Sequence, residues 1–229
     1  MARVLELLGL PVGARVLDVA CGQGRHAHLF AEAGLDVDGV DYSEDLLSHA
    51  RARGTGPSLR YTRADMRSLP AEWSGRFDAV VSLSTSFGFF RDPSDDVVAI
   101  GEFARVLRPG AALLWHGASR DGVIARFLAR DWWTTADGTT IAQERTFDPL
   151  SGLLRVESRW SGRAGDVTRV HELRLYTATR LAELFAAAGL LVEGAWDGWR
   201  DRPLRRTSSE MLLVARLSAD ELPRPRRRG

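Results

Sequence analysis

The 229 residues suffice for one α/β domain with an elaboration, or for at most two small domains. The composition, 45% hydrophobic and 27% charged, is that of an ordinary globular chain, and no apolar run approaches the roughly 20 residues of a membrane span or the long core of a signal peptide. A formal net charge of +1 gives no argument for a nucleic-acid or membrane partner.

Only Met1 to Ala14 precede the first strand-like run, and Val4, Leu5, Leu7 and Leu8 make that stretch amphipathic. Residues 15–20 then read as a buried strand ending near Asp18, followed by a turn on Gly22 and Gly24 and a helix over 24–33 closed by Gly34. A strand, a glycine turn and a helix N-terminus together suit the anionic end of a nucleotide-like ligand. Gly22-x-Gly24-x-x-Ala27 also fits the loose dinucleotide fingerprint, so the loop alone leaves two cofactor chemistries open. Asp18 discriminates between them. A carboxylate under the loop repels a pyrophosphate but suits a ligand carrying an ammonium and a sulfonium, as S-adenosylmethionine does. Cys21, the single cysteine, sits in this loop and reads as a small filler; with no partner cysteine the chain has no intrachain disulfide, and a cytoplasmic location is expected. All 31 Lys+Arg residues are arginine, which excludes Schiff-base chemistry on a lysine.

Further strands are expected at 36–41, 58–63, 77–82 and 111–116, with helices at 43–53 and 94–107; Ser43 is placed to cap the first of these helices. This alternation predicts a parallel sheet with helices on both faces, and a ligand outside the carboxyl ends of its strands, where Asp18, Asp41, Asp65 and the stretch Ser82–Phe90 converge. A helix is expected at 120–131, then strands at 140–148, 152–162 and 166–176, joined by Asp148–Gly152 and Ser161–Gly165, as an antiparallel insertion. Helix 177–188 and strands 190–196 and 209–216 complete the sheet, and the arginine-rich end reads as a solvated tail.

Val16-Leu-Asp-Val-Ala-Cys-Gly-Gln-Gly24, Val40-Asp-Tyr-Ser-Glu-Asp-Leu-Leu47, Ala64-Asp65-Met66, Phe77-Asp-Ala-Val-Val-Ser-Leu83 and Val106-Leu-Arg-Pro-Gly110 occur in order. In that order and spacing they resemble the motifs of the class I S-adenosylmethionine-dependent methyltransferases over nearly the whole chain. Cys21–His26, Glu144–Asp148 and Leu173–Thr177 resemble a bacterial subgroup acting on small molecules. The resemblance implies a Rossmann-like α/β fold: a mostly parallel seven-stranded sheet with an antiparallel last strand and helices on both faces, plus an antiparallel β insertion acting as a lid. It implies a cofactor domain over 1–119 and 177–217, a lid or substrate insertion over 120–176 and a disordered tail over 218–229.

For the cofactor, S-adenosyl-L-methionine, the resemblance implies that Asp18 and the backbone of Ala20 hold the methionine ammonium, with Gly22, Gly24, Arg25, His26 and Leu83 around the methionine portion. Asp41 and Tyr42 lie at the ribose, where one carboxylate offers two acceptor oxygens to a diol. Asp65 takes the adenine amino proton and Met66 packs on the ring. Members of the subgroup usually carry a longer N-terminal cover, so either the chain is truncated or another element or subunit, as in a homodimer, supplies the cover.

Methyl transfer needs an acceptor lone pair aligned with the S–CH3 axis and water excluded; a base is needed only if the acceptor arrives protonated. His116, at the end of the fifth strand, is the base candidate, with Tyr176 and Arg120 as substrate contacts. Ser84–Phe90 and the insertion form the natural lid, and Phe87, Phe89, Phe90, Trp132, Trp133, Trp196 and Trp199 are candidates to wall an apolar acceptor pocket, at least half of them expected to be packing residues instead. His26 and His28 face different ways on a helix, so no metal is expected. Ser82-Leu-Ser-Thr85 replaces an Asn-Pro-Pro-Tyr-type tetrapeptide, which weighs against DNA adenine or protein glutamine. Cys21 lies on the cofactor loop, which excludes a covalent route to cytosine C5, and the balanced charge weighs against RNA. N- or O-methylation of a small molecule remains, beside two other readings: a noncatalytic cofactor-binding module or partner subunit, and a nicotinamide-dependent oxidoreductase.

Overall fold

The computed structural model describes residues 2–162 and 165–219. Strands β1 (Arg15–Val19), β2 (Asp36–Asp41), β3 (Leu59–Arg63), β4 (Phe77–Ser82), β5 (Leu107–Ala118), β10 (Leu190–Trp196) and β11 (Glu210–Leu217) form one sheet in the order β10-β11-β5-β4-β1-β2-β3. Pairing is parallel from β5 through β4 and β1 to β2 and β3, while β11 enters antiparallel to both β5 and β10. The chain runs outward from β1 to β2 and β3, then crosses back to β4. The gap between the carboxyl ends of β1 and β4 is therefore the switch point where an open α/β sheet accepts a ligand.

Apolar residues cover both sheet faces, as expected of strands buried on two sides. On one face Leu17, Val19, Val80, Leu113 and Trp115 pack under α4 (Pro93–Val106) and α6 (Ala178–Ala187). On the other, Val16, Val37, Val81, Leu114 and Leu212 pack under α1 (Ala2–Leu8) and α2 (Arg25–Glu32). Val4 and Leu8 are the buried anchors of α1. The Ser43 hydroxyl caps α3 (Glu44–Arg53), accepting from the Leu46 amide as anticipated.

Between β5 and α6 the chain builds a second, antiparallel sheet, β6 (Arg130–Thr134), β7 (Thr140–Phe147), β8 (Leu153–Gly162) and β9 (Gly165–Arg174), in sequential order. The helix expected at 120–131 stops early: α5 spans only Arg120–Ala125, and residues from Arg130 pair with β7 as a strand. Trp132, Trp133 and Thr134 favour an extended backbone, and β7 offers the edge that satisfies it. Leu154, Val156, Leu173 and Leu175 join this sheet to α5 and the end of β5. Of the expected tail, 218–229, the part from 220 onward lies outside the described residues, as do 163–164 of the turn between β8 and β9.

Candidate active site

The turn after β1 is held by neighbouring strand ends. The Cys21 amide donates to the Val40 carbonyl at 3.0 Å, and the Asp41 carboxylate accepts from the Gly22 amide at 2.8 Å and the Ser43 amide at 2.9 Å. Ala20, Gly22 and Gly24 all take left-handed φ values, 55°, 56° and 71°. Gly24 is required twice over: it is the N-cap of α2 in that conformation, and a Cβ there would collide with the Tyr61 hydroxyl of β3. The Tyr61 ring fills the space above Gly39 as well, and burial pushes its hydroxyl up to about 12. Tyr61 escaped the reading of the sequence, although glycines on two neighbouring elements were the available sign that a ring lies between them.

The crevice has two lobes that meet at Ala20. One, of about 450 Å³, is lined by Asp41, Tyr42, Asp65, Met66, Phe89 and Phe90 among others. The other, of about 280 Å³, is lined by Asp18, Gly22, Arg25, His26, Leu83 and Ser84 among others. Ten of the eleven cofactor candidates thus border one crevice: Asp18, Ala20, Gly22, Arg25, His26, Asp41, Tyr42, Asp65, Met66 and Leu83. Gly24 lies behind it, against Tyr61.

Asp18 is 2% exposed and its Oδ2 has no hydrogen-bond partner among the described residues. Burial raises its pKa to about 7, the Ala27 amide opposes the rise, and the Asp41 carboxylate adds to it. An unpartnered carboxylate oxygen at the floor of a crevice calls for a cation. Burial, then the Arg25 guanidinium, lowers His26 to about 4, so His26 is neutral at physiological pH. Burial also drives the Cys21 thiol far up, followed by repulsion from Asp18 and Asp41, which leaves no thiolate.

Asp65 is already engaged. Arg67 donates to it from its amide at 2.9 Å, from Nε at 3.0 Å and from Nη2 at 2.6 Å, which holds the carboxyl below its ordinary value. Arg67 also bonds Asp95 at 2.8 Å and lies over the Phe90 ring at 4.7 Å. No pattern in the sequence pointed to Arg67.

The three acceptor-side candidates do not line this crevice. Tyr176 is buried, its hydroxyl donating to Asp96 at 2.7 Å, and with Arg120 it borders a separate groove of about 490 Å³ beside α4 and α6. His116 is buried behind Ser84 with its ring stacked on Trp199 at 4.2 Å. Among the aromatic candidates, Phe89 and Phe90 reach the crevice, Phe87 is core, Trp196 packs against Arg3, and Trp132 and Trp133 stand exposed on β6.

A family profile described as "Methyltransferase domain" matches residues 16–110. The chain is 31% identical over 193 residues to the dTDP-3-amino-3,4,6-trideoxy-alpha-D-glucopyranose N,N-dimethyltransferase of Streptomyces venezuelae, covering 80% of this chain and 78% of that one. The S-adenosylmethionine-bound structure of CalS10, an amino pentose methyltransferase from Micromonospora echinaspora, superposes with a TM-score of 0.75 at 26% identity, over 94% of this chain and 89% of that one. The CcbJ methyltransferase of Streptomyces caelestis shares the fold, with a TM-score of 0.83 at 20% identity over 95% and 88% of the two chains.

Proposed function

The chain belongs to the class I S-adenosylmethionine-dependent methyltransferases, and we propose that it transfers a methyl group to a nitrogen or oxygen of a small molecule, with an amino sugar as the first acceptor class to test. The carrying observation is the two-lobed crevice, whose only buried unpartnered carboxylate oxygen, among the residues described there, belongs to Asp18. That orphan atom fits an ammonium-bearing cofactor and opposes a pyrophosphate-bearing one.

In this reading Asp18 and the Ala20 backbone hold the methionine ammonium, and the start of α2 faces the carboxylate with a neutral His26. Asp41 keeps a free lone pair on each oxygen after accepting its two amides, enough for both ribose hydroxyls. Met66 and Phe90 wall the adenine end; Asp65 accepts the amino proton as Arg67 shifts its guanidinium toward Asp95. When bound, S-adenosylmethionine supplies an electrophilic methyl on a sulfonium. The protein's part is then alignment and exclusion of water, for which Phe89 and Phe90 supply apolar cover. An amine that arrives unprotonated needs no base.

The amino-sugar preference rests on the substrates named for the Streptomyces venezuelae relative and for CalS10. The test is transfer of label from methyl-labelled S-adenosylmethionine to a panel of amino sugars, free and nucleotide-linked, small alcohols and phenols, total RNA and protein. Label in a small molecule is expected. Label confined to RNA or protein contradicts the proposal.

A further inference from the structure

Ser84 and Thr85, which follow β4, are consecutive non-glycine residues with φ of 57° and 61°. Side-chain-bearing residues rarely adopt that region, and a β-branched one least of all. Such a turn persists only where its surroundings fix it. Here one residue fixes both amides: His116 Nδ1 accepts from the Ser84 N–H at 3.2 Å, and the His116 carbonyl accepts from the Thr85 N–H at 3.1 Å. The Ser86 hydroxyl closes the turn onto the Leu83 carbonyl at 2.7 Å. Leu83, Ser84 and Ser86 line the same lobe as Asp18.

The bond at Nδ1 also fixes the tautomer. A ring nitrogen that accepts a hydrogen bond carries no proton, so the proton of the neutral ring sits on Nε2. Nε2 is buried without a hydrogen-bond partner among the described residues, and the Glu210 carboxylate approaches it only to 3.7 Å, beside the stacked Trp199 ring. Neither nitrogen is open to a substrate. Burial favours the neutral ring, against the opposing pull of Glu210. We infer that His116 is a positioning residue, whose Nδ1 lone pair holds the strained Ser84–Thr85 turn in shape against the cofactor, and that it is not the proton acceptor of the reaction.

The inference rests on the cofactor occupying the lobe of Asp18, and its test needs no acceptor. The full chain is prepared as wild type, His116→Asn, His116→Gln and His116→Phe, and S-adenosylhomocysteine binding is measured by calorimetry beside thermal unfolding. An asparagine amide oxygen reaches the place of Nδ1; a glutamine oxygen reaches that of Nε2. Binding by His116→Asn within threefold of wild type, with His116→Gln and His116→Phe at least tenfold weaker, is expected. Should the phenylalanine variant fail to fold, the two amides carry the comparison. In the wild type, nitrogen-15 spectra should show an unprotonated Nδ1 and a protonated Nε2. The inference is overturned if His116→Asn binds as poorly as the other variants, if none of them weakens binding, or if the proton resides on Nδ1. A wild-type chain that binds no S-adenosylhomocysteine would instead remove the cofactor assignment, and the spectra would still decide the tautomer.

Discussion

A carboxylate buried beneath a turn with one oxygen unpaired is costly in the absence of a cation, and Asp18 is in that position. Its rise from 3.8 to about 7 corresponds to roughly 4 kcal/mol of disfavoured charge. Between those two values the native state keeps a proton that the unfolded chain has released. Stability therefore falls as pH rises through that window, with the full loss above pH of about 7. Asp18→Asn is expected to raise the melting temperature of the cofactor-free protein at pH 8 and to change it little at pH 5. The same substitution should weaken S-adenosylhomocysteine binding at least tenfold, and wild-type affinity should drop about tenfold from pH 8 to pH 5.5 as Asp18 takes up its proton. Calorimetry and thermal melts at the two pH values check both halves. Asp41→Ala should cost about 1.5 kcal/mol of binding or more, the scale of hydrogen bonds to a charged group, and it also frees the Gly22 amide from its clamp.

The elements flanking the crevice are tied to each other away from it. Arg174, at the end of β9, bonds Asp96 at 3.1 Å and the carbonyls of Phe90 at 3.1 Å and Arg91 at 3.2 Å, while its amide donates to Gly88 at 2.8 Å. Gly88 has to be glycine, because a Cβ there would press on the Arg174 carbonyl at 2.6 Å. The antiparallel sheet is thus joined to the loop carrying Phe89 and Phe90 through a buried ion pair to which Tyr176 adds its hydroxyl. Breaking such a pair from one side costs about 3–5 kcal/mol, because the surviving charge stays buried. Asp96→Ala should lower the unfolding free energy on that scale in denaturant titrations. Tyr176→Phe should lower it by about 1.5 kcal/mol and leave S-adenosylhomocysteine affinity within threefold. A large loss of affinity with no loss of stability would return Tyr176 to the crevice.

These elements were unequally legible in the sequence. Strands built mostly of apolar residues, such as 77–82, and helices with a cap, such as the one begun by Ser43, fall where the pattern put them. The helix expected at 120–131 fails because its end, Arg130 and Asp131, belongs to a local hairpin with Glu144 and Gln143 of β7, which a helical pattern does not show. Tyr176 looked like a site residue because a motif surrounds it. Its partner Asp96 lies on α4, and only the three-dimensional contact reveals the pair. The acids Asp18 and Asp41 were legible because a strand-to-turn transition fixes where a side chain ends up. His116 was placed on the correct strand, but its ring environment depends on Trp199, between β10 and β11, and on Glu210 of the neighbouring strand β11, both remote from it in sequence.

At the scale of the whole molecule, the two lobes of the crevice are lined by the larger sheet's strand ends, the loops that follow them, the start of α2 and the end of α3, and among the described residues no strand of the antiparallel sheet lines them. Saturation with S-adenosylhomocysteine at 100 times its Kd should stabilise the native state by about 2.7 kcal/mol. The gain in hydrogen-exchange protection should concentrate at residues 18–27, 41–43, 64–67 and 83–90, leaving the outer strands of the antiparallel sheet little changed. Protection spread evenly over β6 to β9 would mean that the second sheet also closes on the cofactor.

The most direct measurement is a crystal structure of the full chain with S-adenosylhomocysteine. The ligand is expected to span both lobes across Ala20, with its ammonium at Asp18 Oδ2 and its ribose hydroxyls on Asp41. Density in the groove beside Arg120 and Tyr176, or a ligand that leaves Asp18 Oδ2 unpaired, would contradict the account.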